Sequence, residues 1–344
     1  MRDKLNEKPG DVQEKRTKEP RNKAITQQNL PACKPVLEKA WVLFIFLTIS
    51  GICVPLGAVC LAYGLKPVEV SQRYDQSCLS SLADNGARQS YLWQNAANDS
   101  SLSCSVQLNI TKDISGPVYV YYEIKGMYQN HRRYVRSRSD TQLADSGSSS
   151  TTSACSPLEY YQQNKSLPIN PCGLVAWSYF NDSYTMQLQR SGRSTPLPVS
   201  AEGIAFDSDI QYRFGNQTPT NFNPEFNERR GGGQINGTPK EDERFINWVR
   251  ISALPHFRKL WGRIDDDLKA GDSVNINVLN RYNTYAFDGQ KSIVLSNTNW
   301  LGGKNPFLGI AYLVTGILSF LLGLAYFVVS LVKPRKFGDV SCLK

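Results

Sequence analysis

The chain has 344 residues and a formal net charge of +9, and its mean hydropathy of −0.37 excludes a many-helix transporter. The charge does not mark a nucleic-acid binder, because it sits at the two ends. Residues 1–40 carry ten Lys/Arg against six Asp/Glu, residues 331–344 carry four against one, and about +2 remains for everything between.

Residues 1–39 read as a flexible cytosolic tail, polar and charged with few large apolar side chains. The stretch Gln27–Pro35 ends it, and its two prolines disfavour a continuous helix there. Residues 40–65 hold no Asp, Glu, Lys or Arg, and at ~1.5 Å per residue are long enough to cross a ~30 Å hydrocarbon core as a helix. This run begins too far into the chain, and is too long, for a cleavable signal, so it reads as a signal anchor. Ser50, Gly57 and Gly64 recur in it every seven positions, which returns them to nearly one helix face. Pro55 is expected to kink or loosen this helix.

Residues 66–304 form the polar insert, long enough for one substantial domain. Its patterning predicts a predominantly β ectodomain with short helices. Pro117–Ile124 is rich in β-formers, and Ser273–Val278 alternates apolar and polar as a half-buried strand does. Lys291–Ser296 is a third candidate strand, divided from Tyr282–Phe287 by an Asp288-Gly289 turn signal. Asp207–Phe214 is a weaker fourth. Glu241–Ile251 is the best helix candidate, with acidic residues first and Phe245, Trp248 and Val249 on one face. The Ser-rich run 146–153 and the Asn/Gly/Pro-rich run 216–239 read as surface excursions.

Residues 305–332 are the second apolar run, again without a charged side chain. Gly309, Gly316, Gly323 and Ser330 repeat every seven positions, with Thr315 and Ser319 close to the same stripe. Small residues let a second helix approach closely, so both stripes are candidate helix-packing faces. Residues 333–344 form a second basic tail. With lysine and arginine concentrated outside both runs, the positive-inside rule puts both termini in the cytosol and the insert in the lumen or outside the cell.

Cysteines and sequons agree with that topology. Cys33 and Cys342 lie in the tails, and Cys53 and Cys60 in the first run. The even set Cys78, Cys104, Cys155 and Cys172 lies in the insert. Four cysteines allow three connectivities, of which Cys78–Cys104 with Cys155–Cys172 closes the shortest loops. Asn98, Asn109, Asn164, Asn181, Asn216 and Asn236 all open N-glycosylation sequons in the same segment.

No catalytic constellation is visible. The chain lacks a phosphate-binding glycine loop, a paired-histidine zinc helix and a serine nucleophile elbow. Its two histidines, His131 and His256, lie far apart without metal-ligand spacing, and no cofactor is implied. Asp265–Asp267 reads as a solvated turn rather than a cation site. The basic cluster His131–Arg136 reads as a structural cluster or as a site for an anionic headgroup. Without a charge in either span, an autonomous transport pathway is not expected.

Longer strings carry a resemblance. Asn299–Leu313, Tyr128–Ser137, Pro171–Ser183 and Ser252–Arg263, with Gln27–Pro35, resemble in order the cell division control protein 50 family, the β-subunits of type-IV P-type ATPase phospholipid flippases. Gln27–Pro35 and Leu331–Lys336 look most like its plant branch, the ALA-interacting subunits. The resemblance implies a non-catalytic subunit that forms a heterodimer with the ATPase catalytic subunit in the lipid membrane. It also implies support for that partner's folding, exit from the endoplasmic reticulum and transport cycle, in the Golgi, endosomes or plasma membrane. It implies an α+β ectodomain built mainly on antiparallel sheets, two sequential disulfides among the four insert cysteines, and a family glycosylation position at Asn181. The competing readings are a two-span ligand-gated channel and a membrane-anchored lumenal enzyme.

Overall fold

The computed structural model describes residues 38–144, 151–224 and 232–334, with Ile25, Gln28 and Leu30. Most of the N-terminal tail including Cys33, the C-terminal tail from residue 335 including Cys342, and residues 146–150 and 225–231 of the two expected excursions lie outside the described residues. The chain divides into two compact units, residues 52–315 and, separately, residues 1–51 with 316–344.

Lys39–Leu65 and Phe307–Val332 are helices of 27 and 26 residues, each long and apolar enough to cross a membrane. The first runs without interruption through Pro55.

Eight strands build the larger unit: β1 (Glu69–Arg73), β2 (Ser103–Asn109), β3 (Val118–Lys125), β4 (Ser183–Arg190), β5 (Arg193–Leu197), β6 (His256–Ile264), β7 (Ser273–Leu279) and β8 (Gln290–Ser296). They form two four-stranded sheets, β1-β8-β3-β6 and β2-β7-β4-β5, and every pairing between them is antiparallel. The period-2 alternation of the sequence becomes a buried face on each. Val118, Val120, Tyr122 and Ile124 point inward from β3, and Val274, Ile276 and Val278 from β7, all at most 2% exposed. Both inner faces contribute to one buried cluster. In β6 the pairing with β3 skips Trp261, between the partners of Val120 and Tyr121, so β6 carries a bulge there.

The helix Glu243–Val249 closes this core. Asp242 caps it by accepting from Phe245 N at 3.0 Å, and Phe245, Ile246 and Trp248 are fully buried. At its other end Lys259 Nζ donates to the carbonyls of Asn247 (3.0 Å), Trp248 (3.1 Å) and Arg250, satisfying acceptors that a helix terminus leaves free.

Three expectations are corrected. Asp207–Tyr212 is a helix rather than a strand, because Asp207 and Asp209 suit a helix N-terminus and Asp209 pairs with Arg213 and Arg250. The residues before the Asp288-Gly289 turn form a short 3-10 helix, Tyr285–Phe287, and β8 pairs instead with β1 and β3. The 216–239 run is not wholly a surface excursion: Phe222 is buried with its ring against Trp177 and Phe245, and Asn223 bonds the carbonyls of Trp177 and Gly233.

On the other face of the first sheet Glu123 accepts from Arg258 Nε at 2.7 Å and lies 3.0 Å from His256, while Arg258 reaches on to Glu69 at 2.8 Å. Burial alone would raise the Glu123 pKa, but Arg258 and His256 outweigh it and the net shift is downward. A depressed carboxylate contributes stability that is present above its unfolded pKa and lost as pH falls through the folded value. The melting temperature of Glu123→Gln is therefore expected below wild type at pH 6. The gap should close as pH drops from about 4.3, the unfolded Glu value, towards 3. A gap that persists at pH 2 would contradict this.

Candidate functional site

In the larger unit the two long helices meet through glycine. A Cβ at Gly57 would lie 2.7 Å from Leu313 N and 3.1 Å from Gly309 O, and a Cβ at Gly309 would lie 2.5 Å from Leu61 N. Gly64 abuts the carbonyl of Asn305, whose own N–H donates to Gly64 O at 3.0 Å. In the smaller unit a Cβ at Gly323 would lie 3.1 Å from Phe46 Cβ, and Ser50, Gly316 and Ser319 are buried. Leu313 and Leu61 thus each occupy the space that a side chain on the opposing glycine would need. The helices approach backbone to backbone.

The insert carries Cys78–Cys104 and Cys155–Cys172, with Cα atoms 5.2 and 5.6 Å apart. The first ties the turn after β1 to the start of β2. The second ties the segment after the Ser-rich run to the Pro171–Gly173 turn.

Five sequon asparagines, Asn98, Asn109, Asn164, Asn216 and Asn236, are exposed, whereas Asn181 is half-buried and its Oδ1 has no hydrogen-bond partner. Asn181 and Asn236 both border a cavity of about 310 Å³ that also includes Arg244 and Trp261. The Arg244 guanidinium sits 3.6 Å above the Trp261 ring, and burial pushes its pKa below the usual arginine value.

Next to Asn181 lies a group of residues that sequence reasoning missed. Lys291 is fully buried and donates to Asp182 Oδ2 (2.6 Å), Asn280 Oδ1 (2.5 Å) and Tyr282 O (2.5 Å). Asp182 also accepts from Tyr74 OH at 2.7 Å and from the backbone N–H groups of Arg281 and Tyr282. Burial lowers the Lys291 pKa and Asp182 opposes the shift, leaving it below the ordinary lysine value. Three acceptors for three N–H bonds still identify the ammonium form. A signal was present in the sequence: Lys291 shares the inward parity of Ile293 and Leu295.

Asp265–Asp267 is an exposed turn between β6 and β7, and among the described residues no group of three or more His, Cys, Asp or Glu is placed to hold a metal. Arg132–Arg136 is a short helix with His131 at its N-terminal boundary, and His131, Arg132, Arg133 and Arg136 are exposed.

The family model that matches this chain is described as the LEM3 (ligand-effect modulator 3) family / CDC50 family, over residues 60–336. ALA-interacting subunit 3 of Arabidopsis thaliana is 44% identical over 96% of this chain and 91% of its own length. Cell cycle control protein 50A of Mus musculus is 35% identical over 95% of this chain and 92% of its own. Cell cycle control protein 50B of Homo sapiens is 35% identical over 90% and 93%.

Proposed function

The chain belongs to the LEM3/CDC50 family, and from that premise we propose that it is the non-catalytic β-subunit of a phospholipid-translocating type-IV P-type ATPase. The observation that carries the reading is similarity along almost the whole chain to relatives named as ALA-interacting subunits. The physical features agree with it. Two apolar runs, residues 40–65 and 305–332, without a charged side chain offer no path for a lipid headgroup or ion, but their small-residue faces suit helix partners. An ectodomain closed by two disulfides is preorganised, so little ordering entropy is lost when it clamps another protein. A subunit that binds only the folded catalytic subunit stabilises it by mass action, which accounts for a role in folding and exit from the endoplasmic reticulum.

In this reading residues 40–65 and 305–332 span the membrane, both tails are cytosolic, and residues 66–304 face the lumen or the cell exterior, with glycans on the sequons. Asn181, wedged at the cavity wall, takes its glycan before the domain closes around it. The catalytic subunit, not this chain, selects the lipid.

The test is affinity purification of the tagged chain from membranes with identification of what accompanies it. A type-IV P-type ATPase in equimolar amount is the expected result. Homo-oligomers alone would sink the reading.

A further inference from the structure

We propose that the short basic helix Arg132–Arg136 and the loops beside it form a docking surface, at the membrane-distal end of the ectodomain, for an acidic segment of a second extracytoplasmic protein. The topology proposed above supplies the orientation, and the partner is distinct from the catalytic subunit.

The position follows from strand register. Glu69, four residues beyond the first long helix, pairs with Ser296, and Ser296 also pairs with Tyr119, so that end of the sheet lies nearest the membrane. β3 runs away from it and ends at Lys125, opposite Gln290, about 20 Å further on at ~3.4 Å per residue. The Tyr128–Arg136 segment continues from there. The cluster therefore sits at the end of the sheet opposite the one that the two long helices adjoin.

The chemistry follows from an electrostatic conflict. Arg132 opens the helix, where the dipole disfavours a cation, and repels Arg136 one turn on, while Arg133 and Arg136 lie in its last turn. None of the three guanidiniums has an ion-pair partner among the described residues; Arg88 and Arg244 also lack one, but both bond a carbonyl and lie over an aromatic ring. His131, Arg132, Arg133 and Arg136 instead line an open cavity of about 490 Å³. A local rule broken without internal compensation is characteristic of a functional site.

The platform beneath is rigidly built. Ser137, 1% exposed, accepts from Leu174 N at 2.9 Å and donates to Cys155 O at 3.0 Å, beside the Cys155–Cys172 disulfide. Tyr134 OH bonds Ser178 Oγ at 2.9 Å. Gly173, at φ +100°, lets that backbone reach Ser137 O, where any Cβ would collide. The guanidiniums are thus held ready rather than ordered on binding.

The partner's class follows from what flanks the charge. Tyr128 is 64% exposed on the loop leading into the helix, and Leu254 is 66% exposed on the adjoining loop, tied to the first by Asn130 Nδ2 to Ala253 O at 2.8 Å. Exposed apolar side chains next to forked cations match a peptide carrying carboxylates around an apolar anchor, rather than a bare phosphate.

The full-length protein in nanodiscs of neutral lipid is used to select from a displayed random dodecapeptide library. The expected consensus has two or more Asp/Glu close to an aromatic or aliphatic residue. The best such peptide should bind saturably and weaken with salt. It should lose about tenfold affinity or more against Arg132→Glu/Arg133→Glu, and less against Arg132→Lys/Arg133→Lys. Selection without an acidic consensus overturns the proposal, as does equal binding to the charge-reversed variant. Inositol hexakisphosphate bound in place of acidic peptides overturns it in favour of a phosphate ligand. The charge-reversed variant should keep its secretory-pathway glycoform and co-purify with the catalytic subunit as wild type does. Loss of co-purification from a folded variant would assign the surface to the ATPase and overturn the claim of a second partner.

Discussion

Asp182→Ala is expected to cost about 3–5 kcal/mol of ectodomain stability, because it leaves the fully buried Lys291 ammonium without its counter-charge. The same carboxylate accepts from Tyr74 and from two backbone N–H groups, so four donors lose their acceptor at once. The substitution keeps the Asn181-x-Ser183 sequon, which separates the effect from any loss of glycosylation. Lys291→Met in the Asp182→Ala background should recover part of the loss, since a buried pair replaced as a unit costs far less than one partner left alone. Thermal or denaturant unfolding of the purified protein, followed by tryptophan fluorescence, reads both. A single variant as stable as wild type, or a double variant less stable than the single, would refute this account of the network.

Gly309→Leu is expected to separate the two long helices where they meet at Gly57 and Gly309. The space that its side chain needs is taken by the backbone N and Cα of Leu61, and backbone cannot move aside as a flexible side chain can. Overpacking of this kind typically costs about 1–3 kcal/mol. Gly57→Leu should behave alike, since a Cβ there meets Leu313 N at 2.7 Å. Gly51→Leu is the control on the same helix, with nothing within 4 Å of the added Cβ. Melting in detergent and yield of the complex with the catalytic subunit should fall for the first two variants and hold for the third. Equal behaviour of all three would show that these glycines do not set the approach of the helices.

Much of the architecture could be read along the chain because it depends on local periodicity. Ser273–Val278 reads as a strand from alternation alone, and Val274, Ile276 and Val278 are all 0% exposed. Glu241–Ile251 reads as a helix from its apolar stripe, and the structure places one at Glu243–Val249, shortened to where Asp242 and Lys259 terminate it. Asp207–Phe214 misled because its short mixed pattern fits either period, and ion pairs to Arg213 and Arg250 decided for helix. The 216–239 run misled because polar composition says nothing about Phe222, one ring that the core recruits from a loop.

By itself the sequence determined two uncharged runs of membrane-crossing length, the seven-residue spacing of small residues on each, an even set of four cysteines in the insert, and strands with one apolar face. These are properties of residues near one another in the chain. Tertiary structure alone decided that the strands form two four-stranded sheets, that Gly57 faces Leu313, and that Asp182 meets the lysine whose parity turns it inward at the head of β8. Burying a charge is tolerable only where a counter-charge arrives, and the partner of Lys291 comes from 109 residues away.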